Sequence, residues 1–215
     1  MPQMNVFVSV AGTANERQEN FVHAVEERLR SEGLVPHTVG RNTFSADAPL
    51  KAVSQVMADC AGVVVIALER SYFPAGLWKR GGPKESPLTE IKLATPWNHI
   101  EAAMGYSRGL PLLVLVEREV QGEGFLEKGY DWHVQKIDVD AQSLTSTEFN
   151  GVLASWKTKM TQAPPPKAAS RGPDPAQMTM AELLGALKPA QLWSLVGTVG
   201  AAVAGAFALG AKLFG

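Results

Sequence analysis

Residues 62–68 read Gly-Val-Val-Val-Ile-Ala-Leu, an almost wholly aliphatic run of the length of a strand. A strand with apolar side chains on both faces is typical of a parallel sheet that is covered by helices on both sides. A second aliphatic run follows at Leu110–Val116, and a β-rich run, Asn5–Val10, lies near the N-terminus. These three segments predict the centre of a parallel sheet in an α/β fold.

Segments with helical periodicity alternate with these strands. A weak strand is predicted at Leu34–Val39 and a fifth strand at Trp132–Val139, while Glu69–Ala94 is rich in Gly and Pro and is predicted to be a long loop. The predicted helices are Asn15–Glu32, one that opens at Pro49, one with Thr95 as N-cap that ends at Arg108 before Gly109, and Ser146–Met160 with a Thr145/Glu148 capping box. The whole pattern predicts a flavodoxin-like doubly wound parallel sheet of about five strands in the order 2-1-3-4-5, with a ligand crevice between strands 1 and 3.

Two segments flank the predicted crevice, the turn Ala11–Asn15 and the long loop with its following helix. On that helix, Trp97, Glu101 and Gly105 are predicted to form a stripe at the rim. The residues predicted to pack on the sheet are Ile100, Ala103, Met104 and Ser107. A carboxylate beside an indole in a cleft suits N-glycoside chemistry, because it can bind ribose hydroxyls and face or attack a cationic anomeric carbon. The alternative is a solvated helix carboxylate, with Trp97 closing the core.

Other side chains are candidate substrate ligands. Ser9 and the turn residues Gly12 and Thr13 can offer backbone N–H groups to a phosphate, although one glycine is no phosphate-binding fingerprint. Tyr72 could stack on a base at the mouth of the crevice, or it could be an aromatic plug under a long loop. The loop residues Arg41 and Phe44 are further candidates, and the alternative for both is a solvated loop.

Three short motifs resemble the TIR (Toll/interleukin-1 receptor) domain family. They are VFVSV at 6–10, MADCAGVVVIALERSYF at 57–73, and WNHIE at 97–101, which fits the family's W-x-x-x-E pattern and is followed by Gly109-Leu110-Pro111. The resemblance implies that Glu101 is the catalytic residue of NAD cleavage and that Trp97 is its neighbour. It also implies that Arg41 and Phe44 lie in the BB loop, which gates the site or mediates assembly in that family. A role in bacterial defence or cell death follows from the same resemblance.

Nucleoside 2-deoxyribosyltransferases have the same sheet and also place a glutamate about ten residues before a Gly-x-Pro and a strand, a spacing that Glu101 fits. Both families break an N-glycosidic bond, so this chemistry is the shared expectation. NAD would be a substrate and no cofactor is expected. The third hypothesis is a protein without enzymatic activity, which binds a nucleotide signal while its C-terminal helices oligomerise and perturb the membrane.

Composition excludes several other classes. A net charge of −1 provides no strong field for nucleic acid, so no nucleic-acid partner is expected. A single cysteine, Cys60, excludes an internal disulfide framework, and its place between a helical pattern and an apolar strand predicts a packed thiol. The four histidines show no metal-ligand spacing, so no metal is expected.

The chain is predicted to divide into a domain at 1–160, a Pro-rich linker at 161–176, a short amphipathic helix at 177–188 and a transmembrane anchor at 189–215. Leu192–Ala211 carries no charge, and as a helix it would span about 30 Å, the thickness of a bilayer's hydrocarbon core. Basic residues before this span predict a single-pass C-terminal anchor with the domain in the cytoplasm. Small residues at Gly197, Ala201 and Gly205 predict a homo-oligomer. The alternative is a soluble Ala-rich helix.

Overall fold

The computed structural model describes residues 3–162. The strands are β1 (Met4–Val10), β2 (Leu34–His37), β3 (Gly62–Ala67), β4 (Ser71–Trp78), β5 (Ser86–Leu93), β6 (Leu112–Glu117) and β7 (His133–Ile137). Five of them form a parallel sheet in the order β2-β1-β3-β6-β7. The predicted order is confirmed, because β6 and β7 are the fourth and fifth strands of this sheet.

Helices cover the sheet on both faces. They are α1 (Glu16–Ser31), α2 (Pro49–Ala58), α3 (Pro96–Ser107) and α4 (Thr147–Gln162). Phe21 of α1 and Phe149 of α4 share one buried cluster with Val6 and Val8 of β1, whereas Met57 of α2 and Ala102 of α3 belong to the cluster of the opposite face. All six residues of β3 are buried, as its aliphatic sequence predicts for a central strand.

Side-chain caps mark the starts of α1, α3 and α4, whereas α2 begins at Pro49 without one. Asn15 accepts a hydrogen bond from the backbone N–H of Gln18 at 3.0 Å, and Thr95 caps α3 ahead of Pro96, as the sequence predicts. The predicted cap of α4 is wrong by one residue. Thr145 belongs to a preceding 3₁₀ turn, where its hydroxyl donates to the carbonyl of Gln142, and Ser146 accepts from the N–H of Phe149 instead.

The prediction of a long loop at Glu69–Ala94 is wrong. The segment contains the two-stranded antiparallel ribbon β4–β5, in register from Ser71 opposite Leu93 to Trp78 opposite Ser86. Its Gly and Pro residues misled the composition argument, because Gly81 and Gly82 lie in the turn and Pro74 lies on a ribbon in which both strands are edges. Four large apolar side chains of this hairpin are exposed: Tyr72, Phe73, Leu77 and Trp78.

The predicted orientation of α3 is also wrong. The residues that face the sheet are Asn98, Ala102 and Gly105, whereas Ile100, Ala103, Met104 and Ser107 are exposed or only partly buried. Gly105 explains the rotation, because an ideal Cβ at this position would lie 2.6 Å from Cγ2 of Val63. The helix therefore packs on β3 through the stripe that contains its smallest residues, Ala102 and Gly105. The sequence prediction missed this stripe because it selected the most apolar face of the helix.

Gly105→Ala tests this close approach. Alanine in place of glycine inside a helix normally stabilises a protein by about 1 kcal/mol, but the methyl group at this position overpacks the interface with β3. We expect Gly105→Ala to destabilise the protein by about 1–3 kcal/mol in urea unfolding. The matched control is Gly151→Ala on α4, where a Cβ meets nothing within 4 Å and the change should be neutral or stabilising. Equal effects of the two substitutions would contradict the packing of α3.

The predictions for the C-terminal part concern other residues. The amphipathic helix at 177–188, the anchor at 189–215 and all but the first two residues of the linker at 161–176 lie outside the described residues. Within residues 3–162, no helix is both long and apolar enough to cross a membrane.

Candidate active site

The candidate site lies where β1 and β3 end at the carboxyl edge of the sheet. The chain continues from β1 to β2 on one side, whereas β3 lies on the other side of β1, so the order of strands reverses at this point. Such a reversal opens a crevice in doubly wound sheets. α3 follows the hairpin and packs against β1 and β3, which brings its first two turns to this edge.

Two buried polar side chains join α3 to the strand ends. Asn98 is 1% exposed and Ser9 is fully buried. The Asn98 amide nitrogen Nδ2 lies 3.1 Å from Oγ of Ser9, 3.3 Å from the carbonyl oxygen of Ser9 and 3.4 Å from that of Ile66. These contacts tie the first turn of α3 to the ends of both central strands.

Glu101 is partly buried on the next turn of α3. Burial raises the pKa of its carboxyl group to about 7, and a hydrogen bond from the Ser9 hydroxyl acts in the opposite direction. Among the ion pairs of residues 3–162, none involves Glu101. A carboxyl group that is removed from water and lacks a cationic partner is a common feature of active sites.

Trp97 lies four residues before Glu101, one helical turn closer to the N-terminus of α3. Its side chain is 41% exposed, so it does not close the core. Tyr72 lies on the hairpin, also exposed, and its hydroxyl donates to the carboxylate of Glu90 at 2.8 Å. The exposed indole of Trp97, one turn from Glu101, is available for stacking on a planar ligand. Among the hydrogen bonds of residues 3–162, the one that Tyr72 forms is to Glu90 and not to Glu101.

The remaining candidates lie near the start of α1. Thr13 donates its hydroxyl proton to Glu19 at 2.6 Å, and Arg41 forms an ion pair with the same carboxylate. The hydrogen bond from Arg41 is the main reason that the pKa of Glu19 falls to about 2. Thr13 and Arg41 are thus joined through Glu19, and Arg41 also lies 3.5 Å from Glu26.

Gly12 and Phe44 are both exposed. The carbonyl oxygen of Gly12 accepts a hydrogen bond from Arg70 at 3.2 Å, and a Cβ on Gly12 would meet nothing within 4 Å. Glycine is therefore not required there for close packing. Phe44 is 78% exposed and is the most exposed large apolar residue of the described chain. The structure brings Ser9 to the first turn of α3 through Asn98, three residues before Glu101, and leaves Gly12 and Phe44 outside this group.

A charged cleft lies at the ends of β6 and β7, with a volume of about 530 Å³. It is lined by Arg17, Lys92, Glu117, Arg118, Glu119, Ile137, Asp138, Val139 and Asp140. Lys92 bonds to Glu119 at 2.8 Å and to Glu69 at 3.3 Å, which fixes the base of the hairpin at this edge of the sheet. The charges in the cleft largely neutralise one another in pairs.

Sequence reasoning did not identify Asn98 or the charged cleft. Asn98 carries one usable signal, a polar residue three positions before Glu101 and on the same helical stripe as Ala102 and Gly105. The cleft has no such signal, because its residues come from distant segments and only the sheet order brings them together.

Metal binding and thiol chemistry find no support in the described part of the chain. Residues 3–162 contain no cluster of three or more His, Cys, Asp or Glu side chains that could hold a metal ion. Cys60 is buried, its Sγ donates to the carbonyl of Val56, and burial raises the pKa of the thiol to about 12. The prediction of a packed thiol is confirmed.

Comparison with known proteins finds similar solved structures. No protein-family model matches the chain, and no curated protein matches it. Among solved structures, the CMP N-glycosidase BcmB of Clostridium botulinum aligns with 13% sequence identity and a TM-score of 0.44, over 70% of this chain and 98% of that chain. A similarity this weak leaves the activity to be argued from the side chains of this protein.

Proposed function

We propose that the domain formed by residues 1–160 cleaves the N-glycosidic bond of a nucleotide or nucleoside, with Glu101 as the catalytic residue. One observation supports this most strongly. Glu101 is partly buried at the strand-order reversal, its pKa is raised to about 7, and none of the ion pairs of residues 3–162 involves it. A carboxylate held in this way can stabilise a positive charge on a bound substrate instead of one on the protein.

The reaction divides into two steps. The bond between the anomeric carbon and the base nitrogen breaks, and its electron pair leaves with the base. The sugar then carries an oxocarbenium-like positive charge, which the ionised Glu101 faces at close range. Water adds to the anomeric carbon and gives up one proton. A nucleobase that leaves as an anion takes up that proton, whereas nicotinamide leaves as a neutral molecule and the proton goes to solvent. The products are the free base and the free sugar or sugar phosphate.

Trp97 and Ser9 support that chemistry in different ways. The exposed indole of Trp97, one turn from Glu101, can stack on the base and hold the scissile bond near the carboxylate. Ser9 occupies part of the hydrogen-bonding capacity of Glu101. The remaining lone pairs of the carboxylate stay available for a ribose hydroxyl, because an ionised carboxylate offers about four acceptor positions.

Sequence resemblance supports two classes of substrate. The W-x-x-x-E match favours NAD, with release of nicotinamide, and the resemblance to nucleoside 2-deoxyribosyltransferases favours a simpler nucleoside or nucleotide. Both substrates present the same bond to Glu101. We therefore propose the bond as the common target and treat NAD as the first substrate to test.

Membrane anchoring is a separate part of the proposal. The uncharged segment Leu192–Ala211 and the basic residues before it support a C-terminal anchor with the domain in the cytoplasm. The small residues Gly197, Ala201 and Gly205 support self-association of that segment. The Pro-rich stretch at 161–176 would then act as the tether between the domain and the anchor.

The experiment that tests the activity is a substrate panel. The full chain is incubated in mild detergent with NAD, CMP, cytidine and the corresponding 2′-deoxynucleoside, and released bases are separated by liquid chromatography. We expect a free base from at least one compound with the wild type. Binding of a panel member without release of any base would overturn the enzymatic proposal and favour the nucleotide sensor.

A further inference from the structure

Asn98 and Ser9 form a buried, hydrogen-bonded polar pair, and Glu101 lies three residues after Asn98 on α3. Both are almost completely buried, and Asn98 occupies a stripe of α3 whose other members are Ala102 and Gly105. An apolar residue is the usual choice at such a position, because a buried polar group is costly unless it is hydrogen-bonded. We therefore expect the hydrogen bonds of the Asn98 amide to have a role that an apolar side chain cannot fill.

The direction of each hydrogen bond follows from the chemistry of the partners. Nδ2 of Asn98 lies 3.3 Å from the carbonyl oxygen of Ser9 and 3.4 Å from that of Ile66. Carbonyl oxygens only accept, so the NH₂ end of the amide faces the strands and its orientation is fixed. The same nitrogen lies 3.1 Å from Oγ of Ser9, which must therefore accept a hydrogen bond from it.

This polarity determines the direction of the Ser9 hydroxyl proton. Because Oγ accepts from Asn98, the hydroxyl does not donate back to the amide. Glu101 lies three residues after Asn98, on the same side of α3, so its carboxyl group is the neighbouring acceptor for the single Ser9 proton. The lowering effect of Ser9 on the pKa of Glu101 agrees with this placement. We propose that Asn98 is a positioning residue that directs the Ser9 hydroxyl to the carboxylate of Glu101. In this arrangement Asn98 orients Ser9, Ser9 orients the Glu101 carboxylate, and the remaining acceptor positions of the carboxylate stay available to the substrate. This inference rests on the proposed function only for the role that it gives to Glu101.

A double-mutant cycle tests the chain of hydrogen bonds without any turnover. The full chain is labelled with ¹³C at the glutamate side-chain carboxyl carbon, and the pKa of Glu101 is measured by NMR titration. The signal is assigned by its loss in Glu101→Gln. Ser9→Ala, Asn98→Ser and the double variant are titrated beside the wild type. Asn98→Ser keeps a hydrogen-bond donor at lower volume, and Asn98→Leu serves as a second variant of similar size that is neutral and has no hydrogen-bond donor.

We expect Ser9→Ala and Asn98→Ser each to decrease the ionisation constant of Glu101, by about 3- to 10-fold for the loss of one hydrogen bond. In the Ser9→Ala background, the substitution of Asn98 should then have almost no further effect, since Asn98 acts through Ser9. In the panel assay, Asn98→Ser should lower kcat with little change in KM.

Two results would overturn the inference. One is an unchanged ionisation constant of Glu101 in Asn98→Ser and Asn98→Leu, which would leave Asn98 with a role in folding alone. The other is a shift that persists at full size in the Ser9→Ala background, which would show that Asn98 acts without Ser9. Neither readout depends on turnover, so absence of activity in the panel would reject the proposed function and leave the cycle intact.

Discussion

Glu101→Gln is expected to reduce base release by about 100- to 10,000-fold, the range found when a group that acts on a developing charge is removed. Glutamine keeps the shape of the side chain and can still accept from Ser9, but it cannot carry the negative charge that faces the oxocarbenium-like centre. The measurement is kcat/KM on the substrate identified by the panel. A variant that retains at least half of the wild-type rate would remove Glu101 from the mechanism.

The same variant should be more stable than the wild type at alkaline pH. In the folded protein the pKa of Glu101 is raised to about 7 from its ordinary value of 4.5, so folding favours the neutral carboxyl group. Below pH 4.5 the group is neutral in both states and costs nothing. Between pH 4.5 and about 7 the unfolded chain ionises first and stability falls, and above about pH 7 the full penalty is present.

Glu101→Gln removes this penalty, so we expect a gain on the order of 1–3 kcal/mol at about pH 8 and little change at about pH 4. Thermal melts at the two pH values give the comparison. This result also separates lost activity from lost folding. A lower Tm than the wild type at both pH values would show that the carboxylate is needed for folding.

Phe149→Ala should have the largest effect on stability. Phe149 is 1% exposed and packs α4 onto the sheet beside the strand residues of the same cluster. Removing a buried phenyl ring leaves a cavity and costs about 3–5 kcal/mol, a large part of the stability of a domain of this size. Urea unfolding followed by circular dichroism measures the loss.

Phe44→Ala is the matched control, because the same atoms are removed from a side chain that is 78% exposed. We expect a change within about 0.5 kcal/mol. The KM of Phe44→Ala in the panel assay also tests the sequence prediction that Phe44 binds the substrate. Equal destabilisation by the two substitutions would contradict the placement of α4 on the sheet.

Much of the fold could be predicted from sequence because its signals are local. The aliphatic run at 62–68 marks a strand that is buried on both faces, and Asn15, Thr95 and Pro96 mark helix starts through their own side chains and backbones. Strand order then follows from the right-handed crossovers that parallel strands require. Glu101 could be placed near the strand-order reversal from the same reasoning.

The features that the sequence did not predict depend on contacts between distant segments of the chain. The hairpin β4–β5 was missed because its Gly and Pro residues suggested a loop, while cross-strand pairs, such as Phe73 opposite Ile91, determine its structure. The rotation of α3 depends on the fit of Gly105 against Val63, and the task of Asn98 depends on the backbone oxygens of Ser9 and Ile66. Periodicity within one helix carries no information about these partners.

The pH dependence of kcat/KM tests most directly that Glu101 acts as a carboxylate. The profile is measured between about pH 5 and about pH 9 on a substrate without a titrating group in that range, and it reports the pKa of the free enzyme. With an active carboxylate whose pKa is about 7, kcat/KM should rise about tenfold per pH unit on the acidic side and become constant on the alkaline side. A rate that falls as the pH passes 7, or a flat profile, would contradict the proposed role of Glu101.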